Sequence, residues 1–529
     1  MRRWHSLLDI ISFPLKVLFF ATILVGMSGI LLNPNVTSII PIKNHFIITF
    51  AHLFRYFGSL IIFNLPFFIM IKALSKRYSD SIPVFIGVVG YVIFNITTMF
   101  FAKTTLVTEA YSSILGIQFN AALIDATKNS VLLPLHTGII GAVIIILITR
   151  LSYLMTRRMG GYGIFSFLDK DVWALMYTIF LSLLSGVVIA YSWPIFLGIW
   201  NFIFNFIRSD ITNPMNLFVY GLSDRLLAGL SMSQLIRTPF WFEAAGGSWI
   251  GPDNVNYLGD VGIWTKQVLS GMSPKGFGRL ITPYYVINLF AIPAFIAAMF
   301  QTFTDKLDRK KFRAFYVIAI VLSVFVGFLL PFELFLLFVT PMLYIIHIFV
   351  TGLLFAIFQA LNVSLGYTFS GANLVATPAS VIDLLVFARN PSMQATVFAI
   401  VIVGIITAIV YYLLARVYFN YLAYDALNIG HLDASVEELF TVFGGVDNIR
   451  MVHSTFYQLK VLPIKKSKVD FGLTPLSDVT KIVEGRSGFS LTFGSGAFII
   501  RNKMIKIIKE HQRELLMAKQ SKSKIENVE

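Results

Sequence analysis

The sequence contains no cysteine among its 529 residues. Disulfide bonds, thiolate metal sites and cysteine nucleophiles are therefore excluded. Charged residues are also scarce, at 13% of the chain, against about 25% in a typical soluble protein. Hydrophobic residues make up 57% of the chain and include 51 phenylalanines. This composition predicts a polytopic α-helical membrane protein in contact with a lipid bilayer, for which we expect neither a cofactor nor a metal ion.

The net charge of +15 would favour a nucleic-acid partner in a soluble protein, but here the basic residues lie between apolar runs. They cluster at the amino terminus and after every second predicted span, as the positive-inside rule requires. The residues concerned are Arg2, Arg3, Lys72, Lys76, Arg77, Arg150, Arg157 and Arg158. The charge therefore predicts topology and no nucleic-acid partner: a multi-pass membrane protein with a cytoplasmic amino terminus. No small-residue cleavage site follows the first apolar run, so we expect the first span to be retained.

The apolar runs predict about ten crossings together with re-entrant segments. The first four crossings are predicted at 14–32, 52–72, 83–102 and 131–149. The apolar run 173–207 exceeds one crossing, so it should form two spans or one bent span. A last strong span is predicted at 396–418.

The composition changes after Tyr424 from apolar to mixed charge. An amphipathic helix at 435–442, a Gly-Gly turn at 444–445 and β-like runs at 458–463 and 488–493 predict a small cytoplasmic α+β domain. We therefore predict three parts: a transmembrane domain over 1–430, the α+β domain over 431–500, and a charged carboxy-terminal tail over 501–529.

The segment 326–352 holds one carboxylate, Glu333, between Pro331 and Pro341 in an otherwise apolar run. Each proline removes a backbone donor and interrupts a helix, and the freed carbonyls need protein or water around them at bilayer depth. A charged side chain at the centre of a spanning helix costs roughly 2.5 to 3.5 kcal/mol. We therefore expect Glu333 to line a solute cavity. The alternative is an ordinary charge at a membrane interface.

The segment 213–251 is too polar to cross a membrane freely and too aromatic to be a simple loop. Half-apolar segments of this kind, with glycine and proline, are typical of broken or re-entrant helices around a binding site. Its charged residues are Asp224, Arg225, Arg237 and Glu243.

Five motif-like segments occur in a fixed order along the chain. They are FVYGLSDRLL (218–227), PFWFE (239–243), PMLYIIHIFVTG (341–352), YTFSG (367–371) and GGVDNI (444–449). In this order they resemble the membrane (enzyme IIC) subunit of the bacterial phosphotransferase system, glucose superfamily, fused to an enzyme IIB domain. The superfamily includes glucose, N-acetylglucosamine, maltose and glucoside types. The resemblance covers nearly the whole chain and depends on the collinearity of the segments.

The resemblance implies sugar transport coupled to phosphorylation. Enzyme IIC would hold the sugar in the membrane, and enzyme IIB would carry a phosphoryl group on a cysteine and transfer it. It further implies a location in the bacterial plasma membrane with the IIB-like domain in the cytoplasm, and a homodimer with cytoplasmic enzyme IIA or IIB proteins as partners.

The chain departs from the family at the residues that would carry this chemistry. The IIB cysteine position falls on Thr455, the following threonine-arginine pair on Tyr457 and Gln458, the IIC histidine pair on Ser233 and Gln234, and the Thr-Glu of the GITEP motif on Leu329 and Leu330. Pro331 and the following Glu333 remain, and the Gly-Gly-Lys-Arg stretch expected near 170 is unrecognisable. A threonine hydroxyl is un-ionised at neutral pH, and its phosphate ester is a far less reactive donor than a thiophosphate. We therefore predict that the chain does not phosphorylate itself and that Thr455 is a vestigial phosphorylation position.

The candidate sugar-binding residues are Arg225, Ser233, Gln234 and Glu333, and no catalytic residue is predicted. A salt bridge from Arg225 to Asp224 or Glu243 is the structural alternative for that residue, and simple packing polarity is the alternative for Ser233 and Gln234. His347 lies in mid-span and is better explained by a hydrogen bond between helices than by proton transfer.

We favour a sugar permease of enzyme IICB-like architecture with a degenerate phosphoryl relay, which leaves open whether it is an enzyme. One alternative is an active sugar phosphotransferase that uses an IIB partner in trans. Another is a non-transporting membrane receptor or scaffold. Proton-coupled transport through Glu333 belongs with the favoured function, and the identity of the sugar is open.

Overall fold

The structure is a computed structural model. It describes residues 2–526 apart from 34–35, 38–39, 78–80, 103–114, 116–118, 121–130, 159–168, 273, 275, 302–305, 328–329, 368–378, 420–428, 455–457, 474–475, 477–478, 480, 486–487 and 493–496. Thr455, Tyr457, Leu329, most of the YTFSG segment and most of the stretch near 170 lie outside the described residues.

Most of the described residues in the amino-terminal half are helical. Its helices are α1 (Arg2–Leu31), α2 (His45–Phe63), α3 (Leu65–Arg77), α4 (Ile82–Phe101), α5 (Gly138–Arg158), α6 (Lys170–Ser209), α7 (Pro214–Gly229), α8 (Gln234–Phe242) and α9 (Asp260–Leu269). Two short antiparallel pairs interrupt them, β1 (Phe119–Asn120) with β2 (Val131–Leu132), and β3 (Ser248–Ile250) with β4 (Asn256–Leu258).

The second half of the membrane region contains shorter and less regular helices. They are α10 (Thr282–Val286), which continues through a π-helical turn (Ile287–Ala291) into α11 (Ile292–Gln301); α12 (Lys306–Val321), which ends in a π-helical turn (Leu322–Val326); and α13 (Leu330–Val339), α14 (Pro341–Ala360), α15 (Val381–Ala388) and α16 (Gln394–Val417).

Eight helical segments among the described residues are long and apolar enough to cross a membrane. They are Phe13–Leu31, His45–Phe63, Ile82–Phe101, Gly138–Arg157, Lys170–Ser209, Thr282–Gln301, Pro341–Ala360 and Gln394–Val417. The predicted class, a polytopic α-helical membrane protein with a small strand-containing region near the carboxy terminus, is confirmed. A shorter apolar helical stretch, Tyr316–Val326, lies beyond these eight.

The long apolar run after 170 forms one continuous helix, α6, with Pro194 inside it. Its 40 residues extend about 60 Å, roughly twice the thickness of a bilayer core. Eleven of its large apolar side chains are exposed, among them Ile195 at 73% and Phe202 at 78%. The helix therefore presents a long apolar surface, as a lipid-facing helix does.

Both prolines around Glu333 begin helices. Pro331 lies in the first turn of α13, and Pro341 is the first residue of α14 after Thr340, whose backbone (φ −137°, ψ 65°) is non-helical. A proline is well tolerated in the first turn because its missing N–H would have no helical partner there. The predicted interruption is therefore present, as a break between two helices.

Helices α7 and α14 pack closely where two glycines meet. A Cβ atom on Gly352 would lie 2.9 Å from the Phe218 carbonyl oxygen, and one on Gly221 would lie 3.0 Å from the Gly352 Cα. Small residues allow such close approach between membrane helices. Arg225 lies one turn after Gly221, so this crossing sets its position.

The carboxy-terminal region folds as a four-stranded antiparallel sheet with two helices. The strands are β5 (Ile449–Ser454), β6 (Gln458–Pro463), β7 (Lys481–Glu484) and β8 (Phe489–Thr492), in the order β5-β6-β8-β7. The helices are α17 (Ile429–Val442) and α18 (Ala497–Glu526). The buried core includes Leu439, Phe443, Leu459, Val461, Leu491 and Met504. Helix α18 thus belongs to this core at its amino-terminal end.

Candidate functional site

Five helices bring buried polar and charged side chains together inside the apolar protein. We call this the charged cluster: Asp224 and Arg225 on α7, Arg237 on α8, Tyr284 on α10, Glu333 on α13 and His347 on α14. All six residues are at most 1% exposed. Charged residues within membrane-spanning regions are expensive to insert and therefore suggest a functional role.

Asp224 is the centre of the cluster. Arg237 donates to it twice, from Nε to Oδ1 at 2.7 Å and from Nη2 to Oδ2 at 3.1 Å. Arg225 and the Tyr284 hydroxyl both donate to Oδ2. A bidentate guanidinium–carboxylate pair of this kind fixes the orientation of both groups.

Arg225 connects Asp224 to Glu333. Its Nη1 donates to Glu333 Oε1, and its Nη2 donates to Asp224 Oδ2 and, at 3.3 Å, to the Tyr284 hydroxyl. The Tyr344 hydroxyl donates to the Arg225 backbone carbonyl at 2.6 Å, which anchors α7 to α14. The guanidinium carbon lies 5.0 Å from the centre of the Tyr284 ring, within the range of a cation–π contact.

One donor in the cluster has no acceptor. Within the described residues, the buried Nε–H of Arg225 has no hydrogen-bond partner. Buried polar groups are nearly always paired, and an unpaired donor costs about 1 to 3 kcal/mol. The Arg225 side chain therefore retains one donor that no acceptor among the described residues satisfies.

His347 extends the cluster toward α16. Its Nδ1 shares a hydrogen bond of 2.7 Å with the Tyr411 hydroxyl, and its Nε2 lies 3.5 Å from Glu333 Oε1. The hydrogen bond between helices that the sequence predicted for His347 is therefore present. Glu333 consequently lies between a guanidinium and an imidazole.

The charges of the cluster balance, with two guanidinium groups facing two carboxylates. Burying an ion costs several kcal/mol, and only well-placed partners offset that cost. Each charge here has at least one partner in hydrogen-bonding contact. The cluster can therefore exist in the apolar interior without a net charge.

The predicted site residues fall into two groups. Arg225 and Glu333 contact each other directly. Ser233 and Gln234 lie at the start of α8, where the Ser233 carbonyl accepts the backbone N–H of Arg237 at 3.0 Å. They are therefore one turn away from a cluster residue. The structural alternative for Arg225, a salt bridge to Asp224, is also present.

Asp224, Arg237, Tyr284 and Tyr344 were not among the predicted binding residues. Asp224 and Arg237 share the half-apolar segment 213–251 with Arg225, and their charges there were the available signal. Tyr344 lies in the motif-like segment 341–352, which was its available signal. Tyr284 has none, because a tyrosine in an apolar run is ordinary at a membrane interface. Within the described chain, no group of His, Asp and Glu has the arrangement of a metal site.

Another buried carboxylate, outside the charged cluster, holds the loop before α10. Asp260 accepts the backbone N–H groups of Gly278 and Leu280, each at 3.0 Å, and its Oδ1 lies 3.9 Å from the Arg279 Nε. Burial raises the pKa of Asp260 to about 6, although these donors oppose the rise. Because Tyr284 lies four residues after Leu280, this clamp positions one wall of the charged cluster.

The segment 365–367 is tied to the same region. The Thr282 hydroxyl accepts the Leu365 N–H at 2.8 Å, and the Tyr285 hydroxyl donates to the Gly366 carbonyl at 2.7 Å. Gly366 also lies against Trp264, where a Cβ atom would be 2.3 Å from the indole Cγ. The start of the YTFSG segment is therefore fixed beside α10.

No protein-family model matches the chain. Among solved structures, the chain is similar to the crystal structure of the transporter ChbC, the IIC component from the N,N'-diacetylchitobiose-specific phosphotransferase system. The identity is 10% and the TM-score 0.32, over 81% of this chain and 96% of the other.

Proposed function

We propose that the chain is a membrane permease for a sugar, similar in architecture to enzyme IICB of the phosphotransferase system, whose IIB-like domain does not carry a phosphoryl group. Three of the motif-like segments that suggest this family contribute to one buried region. Arg225 belongs to the first segment, and Tyr344 and His347 belong to the third. Trp241 of the second segment lies against Arg237, whose guanidinium carbon is 5.0 Å from the centre of the indole ring.

The main structural support for sugar binding is the Nε–H of Arg225, which has no acceptor among the described residues. A hydroxyl oxygen of a sugar is an acceptor of the right kind for this donor, because it can accept from the guanidinium and donate to a carboxylate at the same time. Glu333 and Asp224 are the carboxylates within reach of the same guanidinium. A sugar would thus complete the hydrogen bonds of a cluster that is otherwise neutral and paired.

The degenerate relay argues for transport without self-phosphorylation. The chain has no cysteine, and a threonine at the corresponding position is un-ionised at neutral pH and so a weak nucleophile. Gln458, where the family has arginine, removes a cation that would hold phosphate. The sugar would therefore leave the site unmodified.

Uptake into proteoliposomes tests this function. Purified protein should accumulate a labelled hexose, N-acetylglucosamine or disaccharide without phosphoenolpyruvate, and the sugar recovered inside should carry no phosphate. Phosphorylated sugar that appears only with phosphoenolpyruvate and a separate IIB protein would favour the phosphotransferase alternative. Binding of a sugar without flux would favour a receptor, and either result would contradict the proposal.

The variant Arg225→Lys tests whether the Nε–H of Arg225 contributes to sugar binding. A lysine can keep an ion pair with one carboxylate but lacks the planar set of donors and the Nε–H. We expect a loss of uptake of at least 10-fold, about the effect of one lost charge-assisted hydrogen bond of 1.5 to 3 kcal/mol. The matched control is Arg208→Lys at the exposed end of α6, which should leave uptake unchanged.

A further inference from the structure

Helix α18 has two chemically different sides. Its amino-terminal turns bury Ala497, Ile500 and Met504 against the sheet, and Ile508 packs at the edge of the same core. These residues recur every three or four positions, so they form one side of the helix. The helix continues to Glu526 and has 30 residues, a length of about 45 Å.

The opposite side of α18 is basic and exposed. Lys506, Lys509 and Arg513 are spaced three and four residues apart, so they share one side of the helix, and all three are exposed. At about 100° per residue, this side lies roughly opposite Met504 and Ile508. We call these three residues the basic face of α18.

Among the described residues, the only acidic group that pairs with the basic face is Glu510. It lies 4.0 Å from Lys506, and both side chains are mostly exposed, at 77% and 57%. Ion pairs of this kind contribute little, about 0 to 1 kcal/mol. Met517, one turn beyond Arg513, is 68% exposed. A basic side with an apolar residue beside it is typical of helices that lie on membrane surfaces.

The covalent connection keeps this helix near a bilayer. Val417 ends the membrane-spanning helix α16, and Ile429 begins α17 of the carboxy-terminal region. The connecting residues can extend at most about 43 Å, because an extended chain spans no more than about 3.6 Å per residue. The basic face is therefore held within reach of the membrane surface at all times, which favours contact with it through a high effective concentration.

We propose that the basic face of α18 docks the carboxy-terminal region onto anionic phospholipid headgroups of the bilayer that holds the transmembrane helices. The occupant is a lipid surface because the face is cationic, and because the tether keeps it close to that surface. Three Lys and Arg residues should shift the ratio of docked to undocked helix by on the order of 100-fold in anionic lipid. The proposal does not depend on whether the membrane region transports a sugar.

The absence of native cysteine makes the test specific. Met517→Cys introduces a single thiol for an environment-sensitive fluorophore in the full-length protein, reconstituted in nanodiscs. In phosphatidylcholine discs that contain about a third phosphatidylglycerol, we expect emission shifted to the blue and protection from an aqueous quencher. In discs of phosphatidylcholine alone, and in anionic discs at about 1 M salt, the label should be exposed to the quencher because the attraction is screened.

A neutralised variant and a charge-keeping control complete the test. Lys506→Gln/Lys509→Gln/Arg513→Gln should behave in anionic discs as the parent behaves in neutral discs, whereas Lys506→Arg/Lys509→Arg/Arg513→Lys should remain protected. All six substitutions fall on exposed positions, so each variant should fold. Equal quenching of the parent in anionic and neutral discs would overturn the proposal, as would continued protection of the neutralised variant.

Discussion

Glu333 of α13 and Arg225 of α7 are 108 residues apart in sequence and form an ion pair in which each side chain is 1% exposed. Arg225 also forms an ion pair with Asp224, and Asp224 forms a second ion pair with Arg237. The pair is thus part of a chain of charges that crosses several helices. In an apolar interior, each member depends on its partners more than a surface charge does, because water cannot replace a lost partner.

Removing one member of this pair should cost far more than removing both. Glu333→Gln leaves a guanidinium without its second carboxylate, and we expect a loss of about 3 to 5 kcal/mol in the free energy of unfolding. Glu333→Met combined with Arg225→Met should cost clearly less than the sum of the two single changes, because no unpaired charge remains between them. Unfolding in detergent, followed by circular dichroism, measures each free energy.

The exposed pair of Lys466 and Glu484 is the control for this cycle. Their charged atoms are 3.1 Å apart, with side chains 38% and 65% exposed, so the pair should contribute about 0 to 1 kcal/mol. Additive losses at Glu333 and Arg225, as at the exposed pair, would mean that the two residues do not interact in the folded protein.

Gly352→Ala should weaken the contact between α7 and α14. The new methyl group would lie 2.9 Å from the Phe218 carbonyl oxygen, so the helices must separate, at a cost of about 1 to 3 kcal/mol. Since Arg225 follows Gly221 on the same helix, the shift should also lower sugar uptake. Thermal unfolding and uptake of the same preparation provide the two measurements.

The control variant is Gly198→Ala, which changes a glycine of another helix, α6. Within the described residues, no atom outside its own helix neighbourhood lies within 4 Å of a Cβ at this position. Alanine has a higher helix propensity than glycine, by about 1 kcal/mol. The variant should therefore be neutral or slightly stabilised, and an equal loss at both glycines would refute a specific contact at Gly352.

Much of the fold could be predicted from composition and periodicity. Apolar runs predicted the spanning helices, and the change in charge after Tyr424 predicted the α+β region. The single helix α6 could not be distinguished from two spans, because length and one proline fit either. Strand β7 was missed because all four of its residues, from Lys481 to Glu484, are exposed and give no alternation of polar and apolar residues.

Two of the six residues of the charged cluster, Arg225 and Glu333, were predicted from the sequence, but their contact was not. Arg225 and Glu333 were recognisable as charges in apolar surroundings, which is a local property of the sequence. Their contact is a property of helix packing, since a rotation of α7 by one residue turns a side chain by about 100°. The roles of Tyr284 and Tyr344 depend on the same packing.

Stability should depend on pH through Asp260. Its pKa in the folded protein is raised to about 6, above the value of about 3.9 expected in an unfolded chain. Between these two values the folded state binds more protons than the unfolded state, so the free energy of unfolding falls as pH rises through this window, by roughly 3 kcal/mol in total. Thermal unfolding between pH 4 and pH 7 measures the trend.

Asp260→Asn separates this effect from other titrations. Asparagine cannot ionise, so the free energy of unfolding of the variant should no longer fall between about pH 4 and pH 6 on account of this residue. At the acid end of this window it should also be less stable than the parent, because its amide has only one acceptor oxygen for the two backbone N–H groups of Gly278 and Leu280. If the free energy of unfolding of the variant falls with pH as steeply as that of the parent, Asp260 is not the source of the pH dependence.

The resemblance to enzyme IIB aligns the family's cysteine with Thr455, so incubation of the full chain with the general phosphotransferase components and labelled phosphoenolpyruvate should leave it unlabelled. Thr455→Cys combined with Gln458→Arg supplies both a nucleophile that ionises near neutral pH and a cation for the phosphate, and we expect this variant to gain label. Label that is stable to acid and maps to Thr455 in the native chain would contradict the prediction, whereas acid-labile label would indicate a histidine such as His453 instead. Since the assay reads only covalent phosphate, a negative result in the native chain together with label in the variant would attribute the absence of phosphorylation to these two positions.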